Sequence, residues 1–79
     1  MKIGRFEVLI TSLPYRERLI AEIYYDGMQL AEISNEEDDK VVIQLYSHPT
    51  EKYWEFSFEE ALEILKRAKA ELLEEPLEE

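Results

Sequence analysis

The sequence has no cysteine. No disulfide can brace the fold, and no thiolate is available as a nucleophile or metal ligand. Glycine is almost absent. Gly4 and Gly27 are the only two, so no glycine-rich loop exists to cradle a phosphate. Histidine occurs once, as His48. Zinc needs more nitrogen or sulfur ligands than that. A catalytic triad would need Ser47 or Ser57 and an acid to converge on this ring, and nothing in the spacing suggests it. Beside Pro49, His48 reads as a turn residue. Long apolar runs are missing as well. None approaches the roughly 20 residues needed to span a bilayer. The opening Met-Lys-Ile-Gly-Arg-Phe-Glu breaks every short apolar run with a charge, unlike a secretion signal. The expectation is a soluble, cytoplasmic protein.

Basic charge is scarce. Nine Lys/Arg face nineteen Asp/Glu, giving a formal net charge of −10. Binding nucleic acid or an anionic membrane requires cations to neutralise phosphates, so neither is expected as a partner. A protein with a basic surface would be attracted. The 79 residues make one domain, spanning 1–79, and a chain this short buries only about 60 to 65% of its unfolded surface.

Period-two alternation dominates the first two thirds of the chain. Residues 2–13 place Phe6, Val8 and Ile10 on one face and Arg5, Glu7, Leu9 and Thr11 on the other. Pro14 ends this strand. Further strands are expected at about 19–25, 28–34, 40–46 and 52–56, the last with Trp54 and Phe56 on one face. Then the period changes. Ser57-Phe58-Glu59-Glu60 has the form of a capping box, and Ala61, Leu62, Ile64, Leu65, Ala68 and Leu72 follow at helical spacing. A helix over about 58–75 is expected, ending before Pro76. The fold class is therefore α+β: a five-stranded antiparallel meander, β-β-β-β-β-α, with one C-terminal helix packed on one face.

The triplet Ala-Glu-Ile occurs twice, at 21–23 and 31–33, on either side of Asp26-Gly27. Glu22 and Glu32 should both avoid the core and share the exposed face. A plain two-residue Asp26-Gly27 turn would put them on opposite faces. A three-residue loop, Tyr25-Asp26-Gly27 with Gly27 left-handed, removes the conflict by pairing Tyr24 with Met28. Ala21, Ile23, Ala31 and Ile33 then face the helix, with Phe6, Val8, Ile10, Val41, Ile43, Leu45, Trp54 and Phe56. The other face carries Leu9, Ile20, Tyr24, Leu30, Val42, Tyr46 and Tyr53 among charged residues.

That second face is unusually apolar and aromatic for a solvated one, which marks a partner surface. The partner-binding candidates are Tyr24, Leu30, Tyr46 and Tyr53, with the acidic loop Glu36, Glu37, Asp38 and Asp39 steering a basic partner. Self-association of the same face into a homodimer is the alternative. Glu22 and Glu32 could sit within the roughly 5 to 9 Å that glycosidase carboxylates use, but a flat sheet face offers no cleft to raise a pKa or exclude water. The acidic loop has oxygens enough for calcium but lacks the alternating acidic spacing and central glycine of a calcium loop. No catalytic, cofactor or metal residues are assigned, and no cofactor is expected.

Residues 19–34, Leu-Ile-Ala-Glu-Ile-Tyr-Tyr-Asp-Gly-Met-Gln-Leu-Ala-Glu-Ile-Ser, with the acidic loop and a Trp-x-Phe segment running into a helix, resemble small uncharacterised bacterial proteins. The resemblance implies a β-meander with a terminal helix and no established activity, and carries no functional residues over. In size, acidity and lack of catalytic groups the chain also looks like toxin-immunity proteins and phage-encoded inhibitors. The function expected from all this is a non-enzymatic, acidic protein-binding module of inhibitor or immunity type that covers a basic surface.

Overall fold

The computed structural model describes residues 1–37 and 40–74. Five strands and one helix follow in order: β1 (Lys2–Ile3), β2 (Phe6–Thr11), β3 (Ile20–Tyr25), β4 (Met28–Glu37), β5 (Lys40–Leu45) and α1 (Phe58–Leu73). The strands form one antiparallel sheet in sequence order, each paired with the next. The β-β-β-β-β-α meander with a helix on one face is therefore the observed fold.

Which segments make the five strands differs from expectation. The stretch 2–13 is two strands, because Gly4, at φ 56, turns the chain back so that Ile3 pairs with Phe6. Residues 52–56 form no strand. They lie beyond the end of the sheet, where Phe56 packs edge-on against Phe6 and Tyr25, with ring centroids 5.2 Å apart in both pairs. Alternating aromatics here serve the core rather than a ladder.

The β3–β4 hairpin keeps the two Ala-Glu-Ile triplets on their expected faces, though not Leu30, and does so by another route. Asp26 and Gly27 both have positive φ, 52 and 78, the signature of a two-residue primed turn, and Tyr25 pairs with Met28. Tyr24 then pairs with Gln29, but Ile23 pairs with Ala31. Leu30 is the extra residue of a bulge. The register beyond it sets Glu22 directly opposite Glu32 and Ala21 opposite Ile33. The odd residue that the repeated triplet requires is thus placed in the strand, not in the loop.

Ser57 caps α1: its Oγ accepts from the Glu60 N–H at 3.2 Å. The helix stops at Glu74, whose left-handed backbone, φ 56, lets its N–H reach the Ala70 and Glu71 carbonyls. Between these ends, Ile64 and Ala68 sink into a core made with Phe6, Val8, Ala21, Ile23, Tyr25, Leu30, Ala31 and Ile33. Alanines at 21, 31 and 68 let helix and sheet approach closely. The main contacts of α1 are with β2, β3 and β4.

Candidate functional site

The outer face of the sheet, away from α1, is built around one buried acid. Glu32 is 2% exposed. Its Oε2 accepts from Arg16 Nη2 at 2.5 Å and its Oε1 accepts from the Tyr46 hydroxyl at 3.1 Å. Arg16 also donates to Gln44 Oε1 at 2.6 Å and lies 3.9 Å from Glu36. It stands in the connection 12–19, which therefore folds across β4 and β5. Arg18 adds a second tie, donating to the Asn35 carbonyl at 2.9 Å. Glu22, facing Glu32 across the ladder, accepts from Gln29 Nε2 at 3.4 Å. Opposed like charges destabilise a sheet; here Arg16 stands in as the counter-charge. The hydrogen bond to Glu32 raises the Arg16 pKa, as do the Glu32 and Glu36 charges, against the opposing effect of burial.

This network changes the standing of the expected binding residues. Tyr24 is half-buried and Tyr46 exposes one edge while its hydroxyl serves Glu32. Leu30 is a correction: at 6% exposure it belongs to the core, because the bulge turns it inward with Ala31. Tyr53 is 68% exposed but lies outside the sheet. Ile20, of outer-face parity, is fully buried. Glu36 and Glu37 end β4, with Glu37 paired to Lys40, and Asp38 and Asp39 lie outside the described residues. The outer face is thus not one open aromatic patch.

Burial pushes the Tyr46 phenol up from its ordinary value, and the hydrogen bond to Glu32 and the Glu32 charge add to it. Tyr24 is raised too, first by burial, then by the Glu22 charge and hydrogen bond and by Glu7. Free tyrosine ionises near pH 10. Above that, the folded chain holds protons that the unfolded chain has released, so stability falls as pH rises. Urea midpoints should therefore drop from about pH 10 upward, and the drop should shrink in Tyr24→Phe/Tyr46→Phe. An unchanged slope in that double variant would refute the assignment.

The exposed apolar surface lies elsewhere, on β5. All six of its residues are exposed. Val41, Ile43 and Leu45 point to the helix side, since Ile43 pairs with Ile33 and Leu45 with Ala31. They were expected in the core. Instead Ile43 is 44% and Leu45 71% exposed, because α1 sits over β2 to β4. The backbone there is open too. The Tyr46 N–H donates to the Leu30 carbonyl at 2.9 Å, so even-numbered residues of β5 turn their N–H and C=O toward β4. Antiparallel geometry then turns those of Val41, Ile43 and Leu45 to the free edge. The opposite edge, β1, is only two residues long, which blunts it. Sequence reasoning missed the β5 edge, although helix width pointed to it. An α-helix about 10 to 12 Å across cannot cover five strands spaced at about 4.8 Å.

A cleft of about 600 Å³ at the sheet end is lined by Arg5, Asp26, His48, Lys52, Tyr53 and Trp54, among others. Several of its polar groups are already engaged within the chain. Arg5 Nε donates to Asp26 Oδ1 at 2.6 Å. His48 Nδ1 accepts from the Thr50 and Glu51 N–H groups at 3.1 and 3.0 Å, and its ring leans on Trp54. Trp54 Nε1 donates to the Tyr46 carbonyl at 2.8 Å, and its ring is packed against the core. Among the described residues no group of three or more His, Cys, Asp or Glu could hold a metal ion, and no helix is long and apolar enough to cross a membrane. No protein-family model, curated protein or solved structure matches the chain.

Proposed function

We propose that this protein is a non-enzymatic protein-binding module whose contact surface is the open edge of β5, and that it takes a partner by strand addition. The observation that carries the reading is the coincidence, on Val41, Ile43 and Leu45, of backbone groups unpaired among the described residues and exposed apolar side chains. Strand addition uses the first for affinity and the second for specificity. Folded proteins usually protect a long edge with charge, proline or a bulge. On β5 only Lys40 is charged.

The charge of −10 supports a basic partner and a steering role for Glu36 and Glu37. In that form the module would act as an inhibitor that covers a basic surface. The test is a titration of isotope-labelled protein with a strand-forming peptide of alternating apolar residues flanked by lysines. The amide signals of Val41, Ile43 and Leu45 should move more than those of Val42 and Gln44. Ile43→Lys should abolish the effect. Shifts confined to other elements, or none, would refute the reading.

A further inference from the structure

The pattern on β5 is complementary to itself, and we infer that the strand it receives is β5 of a second copy of this chain. This inference rests on β5 being a pairing edge. Two-fold antiparallel pairing requires residues of the same face to meet, and it must join the backbones that point outward. Centring the two-fold on Ile43 satisfies both. Ile43 then meets Ile43 of the second copy, and Val41 meets Leu45 in both directions. These are the three residues whose backbones face the open edge, so about six N–H···O bonds close between the copies. The same register makes every helix-side pair apolar.

Charge fits on the other face. There Val42 meets Gln44, and Lys40 meets Tyr46 of the second copy. The hydroxyl of Tyr46 is bound to Glu32, and Glu36 also lies on that side with Arg16. The single cation of β5 is therefore set against Tyr46 of the other copy, on the face that carries Glu32, its counter-charge Arg16, and Glu36. Moving the two-fold to Val42 still joins outward backbones, with Val41 opposite Ile43 and Val42 at a non-hydrogen-bonded pair, but Leu45 loses its apolar partner.

The size of the surface sets the strength. At their exposed fractions, Val41, Val42, Ile43, Leu45 and Tyr46 offer on the order of 400 Å² per copy, about 800 Å² across the two-fold, which is the scale of reversible association rather than an obligate dimer. Two copies each carrying −10 also repel, and salt screens that repulsion. Self-association should therefore rise with salt, the opposite of binding to a basic protein.

Sedimentation equilibrium over a range of concentration and salt tests this. The expected result is a reversible shift toward twice the 9.4 kDa chain mass, favoured by salt. Ile43→Lys, which sets two ammonium groups face to face, should weaken it at least about tenfold while a thermal melt shows the fold retained. Because the chain has no cysteine of its own, Ile43→Cys should cross-link on oxidation well before Val42→Cys, which the register places opposite Gln44. A monomer at all concentrations, a dimer indifferent to Ile43→Lys, or equal cross-linking at 42 and 43 would overturn the inference. If the chain is monomeric yet a strand-forming peptide still shifts the edge amides, the second copy is ruled out and strand addition stands. If neither occurs, both fail.

Discussion

Replacing Arg16 with methionine is expected to lower the melting temperature by on the order of 10 °C or more, a large effect for one residue in a connecting segment. Methionine keeps much of the apolar stem and removes the charge and its donors. Glu32 is then left 2% exposed, facing Glu22 across the ladder, with the Tyr46 hydroxyl the one remaining donor to it among the described residues. Removing one partner of a buried ion pair strands the other. The same change unties Arg16 from Gln44 and frees the connection 12–19 from β5. Glu32→Gln in the same chain should recover much of the loss, because a neutral amide costs less to bury. The check is a double-mutant cycle by thermal or urea unfolding. Additive losses, with no coupling between positions 16 and 32, would show that the pair is ornamental.

The Arg16 contact could not have been read from the chain. Its partners lie 16 and 28 residues away, and a side chain in a turn-rich connection carries no period that says where it will land. The strands and the helix were legible because period two and period 3.6 are local properties. Alternation alone, however, does not say what a segment pairs with. Trp54 and Phe56 alternate as a strand would, yet the segment packs aromatic rings over the sheet end and forms no ladder. Gly4 was legible as a break in the first strand only through its positive φ, which the residue permits but does not announce.

The repeated Ala-Glu-Ile triplet was more informative, and its limit is instructive. Parity required one odd residue between the two copies, and Glu22 and Glu32 do share a face. Parity cannot say where that residue goes. Asp-Gly favours a two-residue primed turn, so the chain took that turn and placed the odd residue at Leu30. The candidate surface shifted for a similar reason. The inner face of β5 was assigned to the core by its alternation, but alternation is a statement about direction, and burial depends on whether a helix is there to cover it. Val41, Ile43 and Leu45 point the right way and stay exposed, because α1 packs mainly on β2, β3 and β4. The expected aromatic face, in turn, is crossed by Arg16.

Truncating Leu30 to alanine should cost about 2–5 kcal/mol, the range for emptying a packed leucine site. Leu9→Ala, on the exposed outer side of β2, should cost less than about 1 kcal/mol. The contrast separates a core leucine from a surface anchor, which should be nearly neutral for stability. Deleting Leu30 altogether asks a sharper question. Tyr25 would still meet Met28, Tyr24 would still meet Gln29, and Ile23 would still meet Ala31, now with no bulge between them. A regular hairpin with both glutamates still facing outward is therefore available to the shortened chain. Its stability should fall by about as much as in Leu30→Ala, since the buried side chain is what is lost. A second loss follows at the other edge of β4. The Leu30 carbonyl accepts from Tyr46 N–H, the last rung holding β5 beside the bulge, and hydrogen exchange at Tyr46 should accelerate in the deletion but not in Leu30→Ala. If Leu30→Ala is as mild as Leu9→Ala, the bulge residue is not seated in the core, and the register drawn through Ile23 and Ala31 is wrong.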